Sequence, residues 1–555
     1  MLVPKLLSTL RGYNRQQFAA DATAGVIVGI VALPLSIAFA IASGLGPQAG
    51  LYTAIIAGFL ISALGGSRVQ IGGPTGAFVV IVYGIVQKYG VDGLTVATIM
   101  AGVILIILGV AKLGGAIKFI PHPVVTGFTS GIAVIIFSGQ MRDFFGLAMK
   151  SVPAEFMNKV EALAEHANTG SPWAIAVALS TVLIVTFGPR ITTKVPSPFV
   201  ALIATTALVQ LAGLPLETIG SRFGGIDASF PHPHWPSISL RDLTQLVAPA
   251  FTIAMLGGIE SLLSAVVADG MMGTRHRSNM ELVAQGVANV VTPLFGGIPA
   301  TGAIARTATN IKAGGRTPVA GIVHALTLLV ITLFFGRWAA LIPMATLAGI
   351  LVVVAYHMSG WRTFRATLRA PRSDVAVLLT TFGLTVLVDL TVALGVGMVL
   401  ASFLFMRKMA EVTQVAAVTD MFTDREGEDA QGVALRSVPK GVEIYEIDGP
   451  FFLGAAEKFK ETIASMARPP RVLILRMRKV GLLDATGIAL IRDLSQKGRR
   501  DGTTLVLSGL HSQPMVALTN SDLLDVIGED NCVGDMDDAI ARAAVLMAAP
   551  VAPRR

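Results

Sequence analysis

Charge is scarce in this chain: Asp, Glu, Lys and Arg make up 14% of its 555 residues, where a soluble globular domain carries about a quarter. Aromatic residues are few as well, at 6%, and there is a single cysteine, Cys532. One thiol excludes an intrachain disulfide and any cysteine-rich zinc site. The sequence has no phosphate loop of the form G-x-x-x-x-G-K-[ST], and no nucleophile elbow, HExxH or CxxC. The chain therefore has no ATP loop of its own to drive a pump, and the usual signatures of hydrolase or redox chemistry are missing. No cofactor, metal site or enzyme activity is expected. His232-Pro233-His234 is the nearest thing to a metal motif, and two histidines in a Pro-rich loop without carboxylate or thiol support read as loop.

What is present is hydrocarbon. Hydrophobic residues reach 53%, and the mean hydropathy is +0.69. Uncharged runs at 94–111, 173–188, 199–215, 319–335 and 390–406 approach the roughly 17 to 25 residues that span a bilayer. With the other apolar segments they predict an α-helical membrane protein of about fourteen spans. The first apolar stretch has no small-residue cleavage pattern before it, so Lys5, Arg11 and Arg15 are expected to be retained.

The net charge of +8 follows membrane topology rather than nucleic acid. With the N-terminus inside, the inner loops carry Arg68, Lys112, Lys118, Arg190, Lys194, Arg275, Arg277, Lys312, Arg316, Arg362, Arg365, Arg369 and Arg372, with almost no acids. Outer loops mix signs: Arg142, Lys150 and Lys159 face Asp143, Glu155, Glu161 and Glu165, and Arg222 and Arg241 face Glu217, Asp227 and Asp242. This is the positive-inside pattern of the cytoplasmic (inner) membrane, and an even span count returns the C-terminal part to the cytoplasm.

Two short passages nearly repeat: Gly72-Gly73-Pro74-Thr75-Gly76-Ala77 and, about 224 positions later, Gly296-Gly297-Ile298-Pro299-Ala300-Thr301-Gly302-Ala303. Each lies about 50 residues past the start of an apolar block, at Phe18 and near Leu246. Seven spans per half is odd, so the second half enters from the opposite side: an inverted seven-plus-seven repeat with two broken helices. A helix that begins inside the membrane leaves unpaired N–H groups and a partial positive charge at its start, where anions bind. On this reading Pro74 and Pro299 mark the breaks, Thr75 and Thr301 cap or contact a ligand, and Gly76, Ala77, Gly302 and Ala303 allow backbone approach. Arg306 follows without a neighbouring acid; it belongs either to the anion field or to a structural pair. Glu260 lies deep in the apolar run 246–267. Burial penalises its charged form, which makes it a candidate to exchange a proton with the substrate, or else a salt-bridge partner of Arg306. Ser264 shares its helix face, whereas Asp269 projects roughly opposite. Phe39, beside the Pro34 kink, is a packing ring or a ligand wall.

The organisation expected is a cytoplasmic segment at 1–17, a transport domain at 18–410, a linker at 411–436, an α/β domain at 437–549 and a tail at 550–555. Within the α/β domain 442–447, 471–477 and 503–508 read as strands, and 455–466, 486–497, 514–526 and 536–547 as amphipathic helices.

These residues together resemble the sulfate permease family, whose animal members include prestin and pendrin. The likeness rests on LPLSIAFAIASGLGPQAGLY with GGSRVQIGGPTGAF, on GGIESLLSAVVAD, on ATGAIARTATNIKAGGRTPVAG and on the C-terminal VGLLDATGIALI, which resembles a STAS domain. It implies core and gate domains, an elevator-like movement, a homodimer in membrane lipid, and substrate between the first, third, eighth and tenth spans. Phe39 then matches the aromatic lining position, Thr75 the start of the third helix, Glu260 the eighth-span acid, and Ala303, Ile304, Ala305 and Arg306 the anion-binding turn. Leu35 stands where several animal members have glutamine, which bears on substrate size and selectivity. Ile304 stands where sodium-coupled bicarbonate members have threonine, and Arg306 replaces a small residue there; both differences count against a sodium site. Thr486 takes the place of a phosphorylated serine of soluble STAS relatives, or is a helix-start threonine; a cytoplasmic protein or nucleotide is the ligand such a domain would take. The expected activity is proton-coupled symport of sulfate or a dicarboxylate such as fumarate or succinate. The alternatives are a bicarbonate transporter, an uncoupled exchanger or channel, and a membrane sensor.

Overall fold

The computed structural model describes residues 2–115, 120–149, 152–191, 196–224, 233–237, 240–388, 390–418, 438–452, 456, 459–460, 462–463 and 469–548. It divides into two compact units, Met1–Ala401 and Ser402–Arg555.

Hydrocarbon offers a backbone no hydrogen bonds, and a helix satisfies its own within one segment. The first unit accordingly runs through α1 (Arg15–Ala42), α2 (Pro47–Leu64), α3 (Val79–Val110), α4 (His122–Phe145), α5 (Pro172–Ile191), α6 (Ser197–Leu211), α7 (Leu240–Met272), α8 (Ser278–Val291), α9 (Ile304–Lys312), α10 (Val319–Ala339), α11 (Met344–Met358), α12 (Arg372–Leu387) and the start of α13 (Leu390–Val412). Two-residue strands, β1 (Gly72–Gly73) and β2 (Thr301–Gly302), precede α3 and α9. Local signals set several starts. The Asn14 side chain accepts from the Gln17 N–H at 2.8 Å to cap α1, and first-turn prolines open α2, α4 and α6. α3 bends at Gly90, whose φ of 70° leaves the helical region. Among the described residues, nine helices are long and apolar enough to cross a membrane. The expected fourteen segments are reached only when the helix bent at Gly90 counts twice and the shorter α6, α8, α9 and α12 are included.

The helices pack in two groups, each joining matching parts of the two halves. α1, α2 and α3 lie against α7, α8, α9 and α10, while α4, α5 and α6 lie against α11, and α4 also against α12; α1 reaches α6 and α11 of the second group. Helices in lipid associate by close backbone approach at small residues, because hydrocarbon supplies no hydrophobic drive between them. At the crossing of α3 and α8, a Cβ on Gly102 would stand 2.6 Å from the Gly286 carbonyl oxygen, and one on Gly286 2.5 Å from that of Gly102.

In the second unit β3 (Gln414–Ala417), β4 (Val442–Asp448), β5 (Val472–Lys479), β6 (Thr504–Ser508) and β7 (Cys532–Val533) form one sheet in that order, antiparallel between β3 and β4 and parallel beyond. Alternation along β5 feeds both faces. Val472 and Ile474 pack with Met536, Ala539 and Ala543 of α17 (Met536–Ala548), below. Leu473, Leu475 and Met477 pack on the other face with Ile491, Leu518 and Leu523. These belong to α14 (Ala485–Asp501), α15 (Ser512–Asn520) and α16 (Leu523–Ile527). Two sequence expectations are corrected. Gln414–Ala417, inside the stretch expected as linker, is a strand with Gln414 opposite Asp448. The single helix expected at 514–526 is two, because Asp522 takes a left-handed φ of 52° between α15 and α16. The helix expected at 455–466, the remainder of the linker and the tail fall largely outside the described residues.

Candidate functional site

Gly and Pro keep both echoes out of helix, and the freed backbone groups need partners in a buried setting. They find each other. β1 and β2 pair antiparallel, Gly72 opposite Gly302 and Gly73 opposite Thr301, and the Ala303 N–H donates to the Ile71 carbonyl at 2.8 Å. Beyond the ladder, Thr75 precedes a 3-10 turn, Gly76–Phe78, that runs into α3, and Ala303 precedes α9. Because the strands are antiparallel, the chain leaves the ladder toward the two helices at opposite ends. No side chain caps either N-terminus, so both present backbone donors and the positive end of a helix.

An acid and a base join this backbone frame. The Thr75 hydroxyl donates to Glu260 Oε2 at 2.9 Å, which ties the start of the first short helix to α7. Arg306, 2% exposed, crosses to the other strand and donates through Nη2 to the Pro74 carbonyl. Its Nη1 has no hydrogen-bond partner among the described residues and lies 2.5 Å from where a Gly73 Cβ would stand. No direct ion pair joins Glu260 to Arg306 among the described residues, although the two charges interact at a distance. The salt bridge weighed from sequence is therefore replaced by two separate contacts, each to the first echo.

The remaining predicted residues take distinct places. Phe39, Thr75, Gly76, Ala77, Gly302, Ala303 and Arg306 are buried around the ladder, whereas Ile304 and Ala305 are exposed on the first turn of α9. Phe39 lies against Gly76, its Cε1 3.2 Å from a Cβ placed there, with Met358 and Ile136 close by; the first short helix thus begins where the two helix groups meet. Thr301 is not equivalent to Thr75. It sits within β2, and its hydroxyl donates to the Gly257 carbonyl at 2.7 Å, so the cap position of the second helix falls to Ala303. Ser264 donates to Thr307 at 3.3 Å, and the Thr307 hydroxyl accepts from the Ile71 N–H at 3.0 Å. Thr486 is the second residue of α14, which Asp484 caps by accepting from the Gly487 N–H at 2.9 Å. Of the histidine pair, His232 lies outside the described residues and His234 approaches Asp92 at 3.4 Å. No group of three or more metal-ligating side chains occurs among the described residues. Outside the membrane, Arg222 takes Asp143 at 2.6 and 3.0 Å and also pairs with Glu217, holding that carboxyl below the usual range; of the outer charges read from sequence, Arg222, Asp143 and Glu217 thus meet, while Lys150, Asp227, Arg241 and Asp242 lie outside the residues whose side chains are described.

Sequence reasoning missed the polar stripe of α8. Glu281, Gln285 and Asn289 recur every four residues and are all buried. Glu281 Oε2 accepts from the N–H groups of Gly66 and Ser67 at 2.8 and 3.0 Å, and its Oε1 accepts from Gln285 at 3.0 Å and Ser261 at 3.2 Å. The Asn289 side chain accepts from the Ala300 N–H at 2.9 Å and donates to the Ala300 carbonyl at 2.8 Å. One helix face therefore fixes the approach to both breaks. Three polar residues at helical spacing in an apolar block were the available signal.

Comparison with known proteins places this geometry. A model of the sulfate permease family matches residues 18–381, and one of the STAS domain matches residues 436–539. The chain is 41% identical over 531 residues to the "Putative sulfate transporter YvdB" of Bacillus subtilis (strain 168), covering 95% of this chain and 98% of that protein. It is 31% identical over 535 residues to the "Bicarbonate transporter BicA" of Picosynechococcus sp., with 94% of each covered. Among solved structures, that of SLC26A9 superposes with a TM-score of 0.86 at 18% identity over 98% of this chain and 93% of that one, a likeness of fold. The transmembrane domain of a cyanobacterial BicA gives 0.63 at 34% identity, over 69% of this chain and 99% of that one.

Proposed function

The chain belongs to the sulfate permease family and is an anion transporter with a C-terminal STAS domain; from that premise we propose that it is a proton-coupled symporter of sulfate or a small dicarboxylate. The observation that carries the reading is the Thr75–Glu260 hydrogen bond at the start of the first short helix. An anion drawn to the uncapped helix ends comes up against the Glu260 carboxylate, and like charges repel. A proton on Glu260 removes that repulsion, so anion and proton load together while Arg306 holds positive charge across the ladder. Phe39 closes the apolar side, and Gly76, Ala77, Gly302, Ala303, Ile304 and Ala305 form the contact surface. The loaded helix group then shifts against the other in an elevator-like step, in a homodimer of the inner membrane. Bicarbonate is the second reading, supported by the relative that bears that name.

The test is uptake into proteoliposomes with the membrane potential clamped. With one proton per anion, a gradient of one pH unit supports about tenfold accumulation. Glu260→Gln is expected to abolish accumulation while counterflow of the same anion persists; full accumulation by this variant would remove Glu260 from the coupling. Counterflow of sulfate, bicarbonate and dicarboxylates at two pH values identifies the substrate.

A further inference from the structure

Between α11 and α12 the chain makes a short surface helix, Trp361–Thr367, and a turn that ends at Pro371. Apolar side chains recur at Trp361, Phe364 and Leu368, and arginines at Arg362, Arg365, Arg369 and Arg372; these are the three- and four-residue steps of two adjacent stripes. Phe364 turns inward, edge-on to Phe382 of α12 at 5.2 Å, and Ser130 of α4 donates to the Ser359 carbonyl at 2.6 Å. The passage is thus held on the bundle. Trp361, Leu368 and all four arginines are nevertheless exposed. Among the described residues none of the four guanidiniums meets a carboxylate; Arg362 lies over the Trp361 ring at 5.8 Å. The nearest acid in sequence, Asp374, accepts from Ser373 instead.

Two aromatic rings give the depth of this surface. Trp361 donates its indole N–H to the Tyr356 hydroxyl at 3.2 Å, and both rings are exposed. Tyr356 lies in the last turn of α11, and Trp361 follows three residues past its end, beyond the left-handed Gly360 where the chain leaves that helix. Exposed amphipathic rings in that position settle at the boundary of hydrocarbon and headgroup, which brings the arginines to the level of lipid phosphate. A guanidinium matches phosphate with two parallel donors.

We propose that residues 361–372 form a binding surface for anionic phospholipid headgroups. A loop that captured a free anion from water would have no use for Trp361 and Leu368 on the same exposed surface, whereas a bilayer takes both stripes. Because α11 and α12 belong to the second helix group, the lipid holds that group at the leaflet.

The full chain carrying Trp361 as its one tryptophan (W173F/W235F/W338F) is placed in nanodiscs with equal fractions of brominated phosphatidylglycerol or brominated phosphatidylcholine. Stronger quenching by phosphatidylglycerol is expected, with about fivefold weaker association for each arginine removed and a preference that fades with salt. R362Q/R365Q/R369Q/R372Q should lose the preference, and R362K/R365K/R369K/R372K should keep most of it. Equal quenching by the two lipids, or a preference that survives in the glutamine variant, overturns the proposal. Displacement of the lipid by millimolar inorganic phosphate at constant ionic strength would mark a free-anion site and overturn it as well. If the tryptophan replacements prevent folding, the otherwise native chain serves: its thermal midpoint should rise in phosphatidylglycerol over phosphatidylcholine, and the rise should vanish in the glutamine variant. No rise in the native chain refutes lipid binding.

Discussion

Glu281→Ala tests how the approach to the first break is held in place. The carboxylate accepts from the N–H groups of Gly66 and Ser67, from Gln285 and from Ser261, the residue next to Glu260. Alanine leaves the two backbone donors buried without a partner. Each such loss costs about 1–3 kcal/mol, so the pair costs roughly 2–6 kcal/mol. Ser261 and Gln285 are less affected, because a hydroxyl and an amide can rotate toward other acceptors. Glu281→Gln keeps one acceptor oxygen in nearly the same volume, and its cost is nearer to about 1 kcal/mol. Thermal unfolding of the full chain in detergent reads the ranking, and amide hydrogen exchange at 66–67 locates it. The alanine variant should melt well below the glutamine variant, with faster exchange at Gly66 and Ser67. An alanine variant that melts within about 1 °C of the parent, with those amides still protected, would refute the clamp.

Three further outcomes follow from the geometry. Arg306→Ala removes a buried guanidinium whose charge-assisted bonds are each worth about 1.5–3 kcal/mol, so calorimetry should show anion affinity falling about tenfold or more; unchanged affinity would assign Arg306 to packing alone. Gly286→Ala puts a methyl 2.5 Å from the Gly102 carbonyl and should cost about 1–3 kcal/mol of stability; a variant as stable as the parent in thermal unfolding would show that α3 and α8 can part without cost. Burial in the outer helix Phe156–Glu165 brings the Lys159 amine down from 10.5 to about 8. The folded value lies below the unfolded one, so the unfolded chain binds more protons between these limits and stability should rise with pH from about 8 to 10.5. Lys159→Met should remove that part of the slope; identical pH profiles of the thermal midpoint would contradict the burial.

The broad architecture was legible because hydrophobic spans and loop charges are strong physical signals, and because two helix-breaking passages in hydrocarbon demand an explanation. That the passages pair with each other was not legible: the sequence pointed to two broken helices, and the ladder between them is a finding of the structure. The echo gave Thr75 and Thr301 equivalent roles, but the ladder sets Gly73 against Thr301 and leaves Thr301 bonded to Gly257. Register depends on which backbone groups face each other, and the sequence of one segment does not carry that. The α8 stripe went unread because Glu281, Gln285 and Asn289 make contacts to residues near 66 and 300, remote in sequence. The crossing at Gly102 and Gly286 is invisible for the same reason: a glycine states that space is needed, not whose backbone fills it. In the C-terminal unit, runs rich in branched residues located β4, β5 and β6, but the short strand at Gln414–Ala417 has too few residues to stand out as such a run.

The ladder between the two echoes is made of backbone from Gly72, Gly73, Thr301 and Gly302, and the helix ends it positions are backbone too. The backbone share of the field at that point therefore persists through divergence within the family, since replacing a side chain leaves the peptide dipoles where they are, whereas the share that Arg306 adds is open to change. If the site is the one proposed, substrate choice can drift through the bordering residues, Phe39, Ile304 and Ala305, without rebuilding the backbone's attraction for negative charge. On the proposed reading a new specificity is then a matter of shape and polarity at the margin, reachable by single substitutions, while the backbone part of the attraction for anions stays in place.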